Sequence, residues 1–387
     1  MSALCGHPPL LYSAEINITI NQQMERHISL TTDNKNYYRK SSTMLEKIKV
    51  HDAIGTVLAH DITEIKAHHA FKGRAFKKGH IITKDDIPRL LDLGKENLFV
   101  LKITDDEVHE NEAGERIAKA IAGKGVYLSD EVKEGRVNLY AAYDGLLRIN
   151  TEALEELNLL DEVMCATRHN NFLVKKGELL AGTRAIPLLI KKQTVEKIEN
   201  LSLEYGKIVE VLFLRSVKAG LLITGSEVYH GRIKDAFEPI MREKIKNIGS
   251  EIIQVIFAPD DVTMIAEGIK NLITAGAQLI ILTGGMSVDP DDLTSKGVKE
   301  IGATIASYGA SVLPGAMFLM AYSGEIPILG VPACGMYHKN TIFDLILPRV
   351  LAGEKIGKPE IAKLGHGGLC LDCPTCEFPH CGFGKGA

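Results

Sequence analysis

Four consecutive apolar residues, Leu279-Ile280-Ile281-Leu282, run without a break into Thr283-Gly284-Gly285. A short unbroken apolar run stopped by glycine suits a strand covered on both faces, whereas a half-solvated strand alternates. Two covered faces require helices on both sides of a sheet. The neighbouring segments supply them. Leu221-Leu222-Ile223 ends at Thr224-Gly225. A helix is predicted over about Asp235 to Asn247, with Phe237, Ile240, Met241 and Ile245 at helical spacing and Gly249 stopping it. Ile252 to Ile256 reads as a strand, and Asp260 or Asp261 caps a helix carrying Ile265, Ile269, Leu272 and Ile273. Strands alternating with amphipathic helices imply βαβ units. The expected fold over 206–352 is therefore α/β, three layers (α/β/α) around a largely parallel sheet.

The rest of the chain reads differently. Residues 1–43 are rich in Asn, Thr, Ser and Gln and carry no apolar period, so they are expected to form a disordered extension, with Met44 offering an alternative start. Residues 44–205 mix short strand-like and helix-like pieces into an α+β region whose topology the pattern does not specify. Residues 353–387 form a cysteine-rich tail.

Several functional classes are excluded at this stage. The 45 basic and 49 acidic residues form no sustained basic block, so no nucleic-acid footprint is expected. A membrane span needs ~18 apolar residues in a row. The nearest candidate, Val312 to Met336, is broken by Pro314, Gly315, Gly324, Glu325 and Pro327 and reads as short buried strands. No basic stretch followed by an apolar one opens the chain, so no secretory leader and a cytoplasmic, reducing setting are expected.

Glycine-rich turns directly after buried strands are where open parallel sheets collect ligands. Glycine lets backbone N–H groups approach an anion, and a following helix N-terminus adds a favourable dipole. Two such turns occur, Thr224-Gly225-Ser226-Glu227 and Thr283-Gly284-Gly285-Met286-Ser287. Two ordinary tight turns would look the same. The second leads into Asp289, Asp291 and Asp292, carboxylates that repel one another unless a cation shares the site or the helix start absorbs them as caps. A third loop, Pro332-Ala333-Cys334-Gly335, precedes a helix expected from Tyr337, with His338 and Lys339 at its start. At the end of the chain Cys370, Cys373, Cys376 and Cys381 offer four thiolates spaced C-x2-C-x2-C-x4-C, near the ferredoxin pattern but longer at the last step. In a reducing compartment such a cluster points to metal, an Fe–S cluster or Zn²⁺.

Taken in order, Thr224-Gly225-Ser226-Glu227-Val228, Gly231-Arg232-Ile233-Lys234-Asp235, Pro259-Asp260-Asp261, Thr283 to Val288, Asp292-Leu293-Thr294, Leu313-Pro314-Gly315 and Gly330-Val331-Pro332 resemble the molybdopterin-binding domain shared by the MoeA-type molybdopterin molybdenumtransferases and gephyrin. Gly55 to Ala59 and Asp61-Ile62 more weakly resemble the start of the same family. The resemblance implies binding of molybdopterin or its AMP ester, molybdate and Mg²⁺, with metal insertion releasing AMP, and a homodimer. Carried over, Gly284, Gly285 and Ser287 would cradle phosphate, Thr224, Gly225, Ser226, Glu227, Thr283, Pro332 and Gly335 would complete the cofactor site, and Asp235, Asp261 and Asp292 would be the catalytic carboxylates.

The chain also departs from that family. Ser226 stands where the family has Asp, Pro332-Ala333-Cys334-Gly335 replaces its Pro-Gly-Asn-Pro turn, and Phe71 to Phe76 lies where a Met-Asp-Gly-Tyr stretch is usual. The tail is expected to stand in place of the family's C-terminal β domain. Two further readings follow. One is a non-catalytic carrier of the finished cofactor, or a redox sensor, whose tail contacts a metalloenzyme. The other is a nucleotide hydrolase of the competence-damage type, which resembles the same domain.

Overall fold

The computed structural model describes residues 46–66, 71–286 and 293–386. The expected 1–43 extension, Ser287 and Asp292 lie outside these residues. The chain divides into two compact units, Met1–Ile103 and Thr104–Ala387, so the stretch 44–205, read above as one region, spans both.

In the first unit, Glu46–Lys49, Asn97–Leu101 and Val57–Leu58 form an antiparallel sheet in that spatial order. The helix Asp86–Asp92 closes over it, and Leu58, Ile82, Leu90, Leu98 and Val100 make the core.

The second unit begins with an α+β region. Val163–Thr167, Leu179–Ala185, Arg136–Ala141 and Val126–Leu128 form a four-stranded antiparallel sheet. A second sheet joins Leu173–Val174, Gly145–Ile149 and Val209–Leu212. Helices Glu110–Ile121, Thr151–Asn158 and Lys192–Glu204 share one core with them.

The α/β fold expected beyond residue 206 is present. Its six strands are β1 (Lys218–Thr224), β2 (Glu251–Ala258), β3 (Leu279–Thr283), β4 (Thr304–Tyr308), β5 (Leu319–Ser323) and β6 (Ile326–Val331). They lie in the order β2-β1-β3-β6-β5-β4, parallel through β6 and antiparallel from β6 to β4. Helices α1 (Phe237–Asn247), α2 (Val262–Thr274), α3 (Thr294–Glu300) and α4 (Ile342–Leu351) cover the two faces.

The apolar run in β3 shows why there are three layers. All five of its residues are buried. Leu279 and Ile281 pack with Met241 and Ile245 of α1 and Ile342 and Ile346 of α4. Ile280 and Leu282 pack on the opposite side with Ile265 and Ile269 of α2 and Val298 of α3. Alternation along one strand therefore feeds two cores. The helix expected from Tyr337 begins later, at Ile342. Ala333–Met336 form a 3₁₀ turn, and Thr341 with Asp344 makes a capping box that sets the start of α4.

No helix among the described residues is long and apolar enough to cross a membrane.

Candidate functional site

From β1 the chain passes through α1 to β2 on one side, then through α2 to β3 on the other side of β1. The order reverses between β1 and β3, and open α/β sheets bind ligands in the crevice at the carboxyl ends of such a pair. Both glycine turns sit there. Gly284 and Gly285 take φ +83° and +55° in succession, a left-handed pair that only glycine adopts readily. They have no room for a side chain either. A Cβ on Gly284 would run into the Thr224 carbonyl, and one on Gly285 would stand 2.5 Å from Thr294 Oγ1.

Hydroxyls hold this turn from below. Thr294 Oγ1 donates to the Gly284 carbonyl at 3.1 Å, and Thr224 Oγ1 lies 3.1 Å from the Thr283 carbonyl oxygen, a second acceptor. Tyr308 Oη donates to the Met286 carbonyl at 3.0 Å. Thr283 Oγ1 is buried with no hydrogen-bond partner among the described residues.

A cavity of about 610 Å³ opens over the turn. Gly284, Gly285 and Met286 line one side, Leu313 to Met317 a second, and Pro332 to Cys334 after β6 a third. His338 and two tail residues, Cys370 and Asp372, complete it. Cys334 is half-buried, and burial pushes its thiol above the usual value, against a weaker backbone hydrogen bond, which suits a lining group better than a nucleophile.

The tail reaches the cavity through the main chain. Leu313 N donates to the Gly368 carbonyl and Cys370 N donates to the Leu313 carbonyl, both at 2.8 Å, making a parallel bridge between Leu313 and Leu369.

Of the residues singled out from the sequence, Gly284, Gly285 and Pro332 line the cavity. Thr224 and Thr283 are buried beneath the turn. Gly225, Ser226, Glu227 and Gly335 are not among the lining residues. Ser226 N donates to Asp260 Oδ2 at 2.8 Å, and Ser226 Oγ accepts from Asp260 N at 3.2 Å. Asp235 accepts from the backbone of Phe237 and Glu238 at the start of α1, at 3.0 and 2.7 Å. Asp261 caps α2 by accepting from Met264 N at 2.8 Å. Among the described residues no three carboxylates, imidazoles or thiols stand close enough together to hold a single metal ion. Met286, Leu313 and Asp372 carried no site prediction, although Leu313-Pro314-Gly315 stood among the family-like motifs, and Cys370 was expected as a metal ligand of the tail rather than as a wall of this cavity.

The comparisons decide the family of this site. Residues 220–352 match the family model described as "Probable molybdopterin binding domain". They belong to the molybdopterin-binding domain family. The match covers β1 through α4 and so includes the glycine turn and both loops facing it. Residues 47–102 match a second model, described as a domain of unknown function. The molybdopterin molybdenumtransferase of Synechococcus elongatus is 22% identical over 193 residues, 48% of this chain and 47% of that protein. A CinA-like protein of Thermotoga maritima is 33% identical over 84 residues, 22% of this chain and 20% of that protein. The chain thus spans about half the length of the first relative and a fifth of the second. Among solved structures, the molybdopterin biosynthesis MoeA protein of Pyrococcus horikosii aligns over 81% of this chain and 75% of its own at 14% identity, TM-score 0.31. The resemblance drawn from the motifs is borne out for this molybdopterin-binding domain.

Proposed function

We propose that the molybdopterin-binding domain takes molybdopterin or its AMP ester into the 610 Å³ cavity and assists insertion of molybdenum from molybdate, releasing AMP. The observation that carries this reading is the left-handed Gly284-Gly285 pair at the switch point of the sheet, opening onto a large and mostly apolar cavity. The pair brings backbone N–H groups close to an anion, which fits a phosphate. The apolar loops Leu313 to Met317 and Pro332 to Cys334 fit a flat heterocycle. His338 stands at the rim, where it meets negative charge on the ligand. The ligand's own dithiolene supplies sulfur to the molybdenum, so the chain's thiols are not needed for that bond.

Mg²⁺ enters this reading as a counter-ion arriving with the ligand's phosphate, and no step is routed through it. Asp235, Asp261 and Asp292 are proposed as the carboxylates near that charge. Asp235 and Asp261 each keep a second function as helix caps. The tail cysteines enter as a metal-binding element beside the same cavity, holding an Fe–S cluster or Zn²⁺. A homodimer and a cytoplasmic location complete the reading.

The test is anaerobic incubation with adenylylated molybdopterin, molybdate and Mg²⁺, following AMP release, beside Asp292→Ala. Molybdate-dependent release that the variant loses supports the transferase reading. Tight pterin binding without release overturns it in favour of a carrier. That second reading is favoured by Ser226, which stands where the transferases carry Asp and here exchanges two hydrogen bonds with Asp260. AMP release from the ester without molybdate, matched by hydrolysis of a pterin-free nucleotide in a parallel incubation, would point to a nucleotide hydrolase.

A further inference from the structure

Beside the ligand cavity lies a second one of about 250 Å³, and Cys370, Cys373, Cys376 and Cys381 all line it. His338, Cys370 and Asp372 line both cavities, so the two share a wall. Cys370 and Cys381 are partly buried against the core of the binding domain, while Cys373 and Cys376 are exposed.

The arrangement of the thiols discriminates between metals. Four thiolates at the Zn–S distance of ~2.3 Å from one ion have their sulfurs about 3.8 Å apart, gathered around a point. Here no three of them, with or without a described imidazole or carboxylate, are gathered in that way. All four line one space many times the ~30 Å³ that one water takes in the liquid. A four-iron cluster fits thiols set around such a space, because each thiolate bonds its own iron and the sulfurs stay well apart.

The surroundings suit an anionic cluster. Asn340 Nδ2 donates to Cys376 Sγ at 3.1 Å, and hydrogen bonds to ligand sulfurs are one means by which proteins set cluster potentials. Phe378 and Phe383, 6.1 Å apart edge to face, help line the cavity. The Lys385 ammonium lies 4.0 Å from the centre of the Phe172 ring and 5.9 Å from that of Phe378, one of the aromatic residues lining the thiol cavity.

We infer that Cys370, Cys373, Cys376 and Cys381 hold a [4Fe–4S] cluster in this cavity, against the wall shared with the ligand site. The inference rests on reading the tail as a metal site and chooses between its two candidate metals.

The test uses the full chain, made anaerobic and reconstituted with ferric iron, sulfide and dithiothreitol, and separately loaded with Zn²⁺ alone. The expected result is about four irons and four sulfides per chain, a broad visible absorption bleached by dithionite, and an EPR signal from the reduced form. Cys373→Ser and Cys376→Ser change exposed side chains. Each is expected to keep the circular dichroism of the parent and to lose at least half of the bound iron. Stoichiometric Zn²⁺ that excludes iron overturns the cluster and leaves the tail a metal site. Binding of neither metal, or iron retained in full by both serine variants, overturns both. None of these readings needs a pterin, so they stand or fall apart from the ligand assignment.

Discussion

The hydroxyls of Thr224 and Thr294 meet at 3.0 Å in the interior, one from the end of β1 and the other from the start of α3. Through this pair the two elements flanking the glycine turn are tied at the point where the sheet order reverses. Thr294 is fully buried, and its hydroxyl also satisfies the Gly284 carbonyl. Thr294→Val keeps the shape and leaves that carbonyl without its donor. Destabilisation by about 1–3 kcal/mol is expected, with Thr294→Ser costing less. Urea denaturation of the two variants checks this, and equal losses would mean that the hydroxyl contributes nothing.

Gly285→Ala tests the turn itself. The added methyl meets Thr294 Oγ1 at 2.5 Å and the backbone loses its left-handed conformation. Pterin affinity is expected to fall at least tenfold, while the far-UV circular dichroism is kept. Titration calorimetry with molybdopterin gives the answer, and unchanged affinity would remove the turn from the site.

Glu354 gives a pH-dependent contribution to stability. Burial pushes its carboxyl upward, but Arg349 and Arg148, through hydrogen bonds and charge together, outweigh burial and hold it below its ordinary 4.5. Arg349 is buried and pairs with Glu354 at 2.6 and 2.9 Å, and Arg148 reaches it at 2.7 Å. A carboxyl depressed in the fold stabilises above its unfolded value and loses that contribution as pH falls through the folded one. Glu354→Gln is therefore expected to cost about 2–3 kcal/mol at neutral pH, short of a fully buried pair because Arg148 keeps solvent contact. The difference from the parent is expected to shrink as the pH falls below the ordinary 4.5 and through the depressed folded value. Urea melts at pH 7 and at the acid end compare the two, and a gap independent of pH would exclude the ionic origin.

Thiol chemistry separates the cysteines. Cys165 is buried in the α+β region, where desolvation pushes its thiol up to about 12. Cys373 and Cys376 are exposed. Iodoacetamide at pH 8 on the native, metal-free chain is expected to label Cys373 and Cys376 within minutes and to leave Cys165 unlabelled until denaturant is added. Peptide mass mapping reads the order, and early labelling of Cys165 would contradict its packing.

The parts legible in the sequence are those that repeat a local rule. The unbroken run 279–282 announced a strand with two covered faces, and the spacing of Phe237, Met241 and Ile245 marked the buried side of α1. The capping box of Thr341 and Asp344 was also readable and would have moved the start of α4 from Tyr337 to Ile342. The α+β region was harder. Its strand Leu173–Val174 is two residues long, too short to show alternation, and its sheets pair segments far apart in sequence. Threonine-glycine at the end of an apolar run marked the turns, but no local rule reveals that Cys370 and Asp372 face the same cavity as Gly284. That contact is made by backbone pairing across loops, which leaves no imprint on residue type.

The pairing of Leu313 with Leu369 uses only main-chain N–H and C=O groups. Side chains at both positions can therefore be exchanged freely without releasing the tail, and both leucines are exposed enough to tolerate it. Proline at position 313 or 370 has no N–H to give. Each would remove one of the two hydrogen bonds of the bridge, with every tail thiol still present in the first case and with Cys370 lost in the second. Over evolutionary time, residues 313 and 369 can drift in type while this seam stays put, because what joins them is indifferent to the alphabet of side chains, whereas Phe383, sunk in the core, has no such freedom.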